Sequence, residues 1–227
     1  MSVPLPDDGT QWTMIRSAAA GSADARTEFA RRYQGVIRAY LGARWRGTSF
    51  ASEVDDVAQE VFVTCFRAEG PLTRADPGRP GGFRAFLYGI VRNEALMAER
   101  RRARRRERAG IDLDDRAVDD TSLSRVFDRA WAAALMHDAA ELQLARAHDK
   151  GPEAVRRHEL LAIRFGEGLP IRAIAERWGV DAALLHREYP KAREEFKRAL
   201  IDVVAERQGG GPESVEAECS RLLAFFS

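Results

Sequence analysis

The stretch "SEVDDVAQEVFVTCFRA" narrows most what this chain can fold into. Val54, Val57, Ala58, Val61, Phe62, Cys65 and Phe66 recur at i, i+3, i+4, i+7, i+8, i+11 and i+12, the period of one helix face. Ser52 stands ahead of it as a natural N-cap, and Asp55 three residues on completes a capping-box-like start. The opposite face carries Asp55, Asp56, Gln59 and Glu60, of which Asp56, Gln59 and Glu60 are neighbours at i, i+3 and i+4. Such a patch suits a basic partner surface; on charge alone, a solvated helix face is the simpler reading.

The same period returns along the chain, and no alternating strand pattern competes with it. Phe29, Tyr33, Val36, Ile37, Tyr40 and Leu41 share a stripe. "EGPLTRADPGRPGG" is a Pro/Gly-rich loop, after which a helix is expected from about Phe83, with Phe83, Leu87, Ile90 and Val91 turned inward. That helix runs into seven arginines among the nine residues from Arg100 to Arg108. The acidic stretch from Ile111 to Asp120 has no stripe and reads as a tether. Phe127, Trp131, Leu135, Ala139 and Leu142 restore the period, and Gly151-Pro152 restarts a helix. The expected architecture is all-α: two small helical domains at 1–109 and 125–205, an acidic linker at 110–124 and a C-terminal extension at 206–227.

Charge bears on function. Thirty-six Lys and Arg against 35 Asp and Glu leave a net charge of +1. A protein that grips DNA unaided usually carries a clear basic excess, because affinity comes largely from phosphate neutralisation. The basic patch here is local, so a nucleic-acid role leans on a larger partner. No apolar run approaches the roughly 20 residues of a membrane span, and the first residues do not read as a secretory signal. Cys65 and Cys219 match no metal-ligand spacing, and a reducing, cytoplasmic setting is expected. The four histidines show no ligand spacing, and no phosphate loop, nucleophile elbow or HExxH occurs, so neither catalysis nor a metal or other cofactor is expected.

In "IRAIAERWGVDAALLHREYPKAREEFKRAL", Ala175, Gly179, Val180 and Leu185 have the spacing of a helix-turn-helix. A small residue lets the helices approach, and Gly tolerates the left-handed turn. The second helix would present His186, Arg187, Lys191 and Arg193 to a major groove and its phosphates. A helical hairpin packed on something else is the plainer alternative. Glu188 repels phosphate, and Pro190 removes the hydrogen bond to the His186 carbonyl, at about 3 kcal/mol unless the helix kinks.

An acidic-faced helix, a Gly/Pro loop, "FRAFLYGIVRNEALMAERRRARRRER", a tether and a helix-turn-helix, in that order, resemble the extracytoplasmic-function group of the sigma-70 family of bacterial transcription initiation factors. The resemblance implies that Asp56, Gln59 and Glu60 meet the clamp helices of the core RNA polymerase largest subunit. It implies that Arg92 and Asn93 contact the −10 element of promoter DNA, with Phe83 and Phe86 on the same segment; for Phe83, plain core packing is the simpler reading. "GLPIRAIAERWGVDAALLHREYPKAR" is similar to the module that reads the −35 element, and "VEAECSRLLAFFS" to the C-terminal extension of some members. An anti-sigma protein is a further candidate partner.

On that reading Arg100, Arg101, Arg104 and Arg105 track phosphates beside the melted strand, where forked, always-charged heads suit the backbone. The acidic linker either mimics nucleic acid inside polymerase or shields the arginines beforehand. The rivals are a stand-alone helix-turn-helix regulator, which leaves the acidic helix idle, and a helical interaction module with decayed DNA binding.

Overall fold

The computed structural model describes residues 11–76, 78, 79, 81–109, 120–208, 215, 216, 218–220 and 222. Among them the chain is all-α, with no strand: α1 (Gln11–Ala19), α2 (Ala23–Arg44), α3 (Val54–Phe66), α4 (Gly82–Ala109), α5 (Asp120–Lys150), α6 (Pro152–Gly166), α7 (Ile171–Trp178) and α8 (Ala182–Gln208), with 3-10 turns at Ala51–Glu53 and Pro71–Arg74. The described residues fall into two compact units. The first runs to Ala134 and includes the end of α8 from Glu206; the second runs from Leu135 to Ala205 and includes the described residues after 214.

The first unit closes around the stripes that the sequence sets out. Phe29, Tyr33, Ile37, Tyr40 and Leu41 of α2 are fully buried, with Val57, Val61 and Cys65 of α3 and Phe83, Leu87 and Val91 of α4. Phe29 and Phe83 meet edge-on at 5.9 Å, and each such buried aromatic pair adds roughly 0.5–1.5 kcal/mol beyond its area. The Trp12, Ile15 and Ala18 face of α1 completes the core. Gly81, at φ +79°, opens the turn into α4, and a Cβ there would lie 2.7 Å from that of Ala85.

Three expectations need correction. Ser52 is not an N-cap: it lies inside the 3-10 turn, Glu53 takes the cap position of α3, and no side chain caps that end. The turn itself leads into the helix, so no side-chain acceptor is called for. Ile90 is only half-buried and faces a groove instead of the core. Gln143, not Leu142, continues the α5 stripe, because its amide donates to the Ala192 carbonyl at 3.2 Å and its oxygen meets His158 Nδ1 at 3.2 Å.

The acidic residues 110–119 lie outside the described residues, while Asp120 already begins α5. Leu123, Phe127 and Trp131 of that helix are buried in the first unit, where Trp131 stacks on Tyr33 at 5.5 Å. The boundary between the units falls within α5, at 134/135.

In the second unit, α7 and α8 are joined through Gly179, at φ 63° and ψ 38°, whose N–H bonds back to Ala175 and Glu176. The Val180 N–H bonds to the Ala175 carbonyl at 3.0 Å. This pair of bonds satisfies the end of α7, and the left-handed residue suits Gly because it has no Cβ. Leu160, Ile174, Ala175 and Leu185 form the small core beneath the turn. Val215, Cys219 and Leu222 of the C-terminal segment are buried as well.

Candidate functional site

On α3 the apolar stripe turns inward and leaves Asp55, Asp56, Gln59 and Glu60 exposed. Val63 completes that face at i+3 from Glu60 and is 61% exposed, an apolar centre beside the carboxylates. Two of the acids are already engaged within the unit. Asp55 pairs with Arg38 at 2.9 Å, and Glu60 pairs with Arg101. Asp56 has no ion pair among the described residues and is the carboxylate most open to a partner. An acidic, partly apolar helix face of this kind fits a cationic protein surface.

Helix α4 continues for 28 residues because its outer half is built from strong helix formers, Ala, Glu and Arg. Its arginine run is divided by the helical period. Arg102 and Arg106 fold back over the Phe50 ring, at 4.6 and 5.8 Å from its centroid, and reach Glu53 and Ser49 respectively. Phe50 in turn stacks on Trp45 at 5.2 Å. Arg101 is committed to Glu60. Arg100, Arg104 and Arg105 stay exposed, with no ion pair among the described residues.

Arg100 and Arg104 continue a line along α4 begun by Phe86, Ile90, Asn93 and Met97, at steps of three and four residues. Phe86, Ile90 and Asn93 border an open groove of about 570 Å³, whose other side carries Arg74 and Arg79 from the loop before α4. Asn93 is exposed, its amide touching Met97 Sδ at 3.7 Å. Glu94 lines the same groove, is buried, and accepts from the Thr64 hydroxyl at 3.0 Å. A flat half-buried ring, an amide and two guanidiniums along one groove are the groups that hold an unstacked base and its phosphate.

Arg92 lies off that line. Its guanidinium donates to Asp120 at 2.6 Å, which holds the carboxyl below its ordinary range and raises the arginine.

On α8, His186, Arg187 and Lys191 are exposed on the outer face, and Arg193 lies at its edge over the Tyr189 ring, 5.9 Å from the centroid. Glu188 is turned aside: Lys191 pairs with it at 2.8 Å and Arg157 at 3.3 Å, which lowers its pKa. Its repulsion toward phosphate is thereby blunted. α8 passes through Pro190 without interruption, and both Pro190 and His186 are exposed residues.

The site residues expected from sequence thus fall on three separate faces, of α3, α4 and α8. Sequence reading missed Val63, which its spacing from Asp56 and Glu60 could have shown. It also missed Arg74, Arg79 and Glu94, whose placement depends on tertiary packing that local patterning does not carry.

No helix among the described residues is long and apolar enough to cross a membrane, and no group of three or more His, Cys, Asp or Glu among them could hold a metal ion. The first unit is thus a helical domain with an acidic face on one helix and a basic, aromatic-bordered groove on the next. Residues 28–106 match the family model of Sigma-70 region 2, a stretch that contains both of those faces. A sigma-70 region 2 domain is a part of factors that recruit RNA polymerase to promoters. A search of curated proteins gave no match.

Proposed function

We propose that the chain is a sigma-70-type transcription initiation factor of the extracytoplasmic-function group, acting in the bacterial cytoplasm through binding and not catalysis. The observation that carries this reading is the exposed Asp56–Gln59–Glu60–Val63 face, lying within the segment that matches region 2. In this account that face docks on a cationic surface of core RNA polymerase. The α4 line of Phe86, Asn93, Arg100 and Arg104, with Arg92, Arg101 and Arg105 beside it, then takes the −10 element as single-stranded DNA. Arg187, Lys191, His186 and Arg193 of α8 meet the −35 element. The left-handed Gly179 turn supports a helix-turn-helix role for α7 and α8.

The near-zero net charge accords with this division of labour: polymerase supplies most of the phosphate neutralisation, and the chain supplies selection. The residues after 205 act as the C-terminal extension, and an anti-sigma protein is the candidate regulator of the exposed faces. Run-off transcription tests the whole reading. Purified chain added to bacterial core polymerase initiates from the promoters that it activates on overexpression, and neither component does so alone. Tight duplex binding by the chain without polymerase, with no stimulation of transcription, would favour the stand-alone regulator.

A further inference from the structure

Arg44 and Arg92 reach one point from two helices. Arg44 comes from the last turn of α2, where Glu99 fixes its guanidinium with bonds of 2.6 and 3.0 Å and the Tyr40 hydroxyl accepts from it at 3.3 Å. Arg92 projects from α4. Both meet the Asp120 carboxylate, Arg92 at 2.6 Å and Arg44 at 3.5 Å. Asp120 is the first residue of α5, and its side chain is 51% exposed. Leu123 and Phe127, buried one and two turns further on, anchor the helix. The carboxylate can therefore swing away while α5 stays packed.

The Arg92 guanidinium and the one Arg44 Nη that Glu99 leaves open, set around one solvent-open anion, suit a phosphate oxygen as well as a carboxylate. Glu99 balances Arg44, so the cluster is neutral with Asp120 in place and carries one positive charge when Asp120 leaves. We propose that Arg44 and Arg92 form a seat for a backbone phosphate of single-stranded DNA, and that Asp120 occupies this seat in the free chain as a phosphate surrogate. The proposal rests on reading α4 as the nucleic-acid face. It adds Arg44 to that face and gives the start of α5 the role of an internal competitor.

The test uses the full chain and a fluorescein-labelled single-stranded oligonucleotide of mixed sequence, read by anisotropy over a range of salt. Asp120→Asn binds the oligonucleotide about fivefold more tightly than wild type, and its log–log salt slope steepens by about 0.7, the value for one further neutralised phosphate on a single strand. Asp120→Glu, which keeps the charge, matches wild type and controls for disturbance of the first turn of α5. Adding Arg92→Gln or Arg44→Gln to Asp120→Asn abolishes the gain. Asp24→Asn makes the same charge change near the other end of α2, about 30 Å from Arg44 along the helix, and produces no gain. Unchanged affinity and slope in Asp120→Asn, or a gain that survives both arginine changes, would overturn the proposal. Binding of the same proteins to core polymerase is measured separately. Its loss throughout would sink the docking reading and leave the oligonucleotide result interpretable.

Discussion

The Arg101 guanidinium closes on the Glu60 carboxylate, tying the arginine-rich end of α4 to the acidic face of α3. The two side chains are 39% and 47% exposed, so the pair contributes little to stability, at most about 1 kcal/mol. Its consequence is for partners. A cation that takes Glu60 releases Arg101 toward the exposed Arg100, Arg104 and Arg105.

The divided arginine run gives the first prediction. Changing Arg100, Arg104 and Arg105 to Ala lowers the salt dependence of open-complex formation by about 0.7–0.9 of log slope for each phosphate left without its arginine, and leaves thermal stability within about 0.5 kcal/mol. Arg102→Ala does the reverse. It removes the guanidinium over Phe50 and the bond to Glu53, costs about 1 kcal/mol of stability, and leaves the salt slope unchanged. Calorimetry and salt-dependent promoter opening read the two effects separately.

The α7–α8 junction makes opposite predictions for two nearby substitutions. Gly179→Ala forces a Cβ into the left-handed region and destabilises by about 1 kcal/mol, although a Cβ there meets nothing within 4 Å. Pro190→Ala restores a backbone donor for the His186 carbonyl and stabilises the full chain by about 1–2 kcal/mol. Thermal denaturation checks both, and a fall in melting temperature for Pro190→Ala would mean that the packing around α8 depends on the proline.

Glu28 supplies a pH-dependent test. Its bond from Arg31, reinforced by Arg32, lowers its pKa to about 2 from the 4.5 of an unperturbed carboxyl. A carboxyl held below its unfolded value stabilises the fold fully above about pH 4.5, and this contribution is lost as the pH falls toward 2. Wild type is therefore more stable than Glu28→Gln at neutral pH, and the gap closes between pH 4.5 and 2. A gap independent of pH would show that the charge on Glu28 is not what matters.

The stripes on α2, α3 and α4 were legible in the sequence because a 3.6-residue period with large apolar side chains leaves one way to bury them. The Gly179 turn was legible because its small-residue spacing has a backbone cause. Other features depend on pairings between residues far apart in the chain. Nothing near Asp120 in the sequence reveals that it faces Arg44 and Arg92, and nothing near Arg102 reveals Phe50 beneath it. The run of arginines read as one uniform feature, whereas the helical period sends Arg102 and Arg106 inward and Arg100 and Arg104 outward. The start of α5 was hidden for a similar reason: the acidic residues before it have no stripe, and Leu123 and Phe127 find their partners in the first unit.

The central claim concerns the exposed face of α3, and direct association with core RNA polymerase tests it. In size-exclusion chromatography the wild-type chain co-elutes with bacterial core enzyme. The Asp56→Lys, Glu60→Lys double variant, folded as judged by circular dichroism, binds at least about tenfold more weakly, because it meets a cationic partner with cations. Failure of the wild-type chain to associate at any ionic strength, or equal binding by the double variant, would contradict the account.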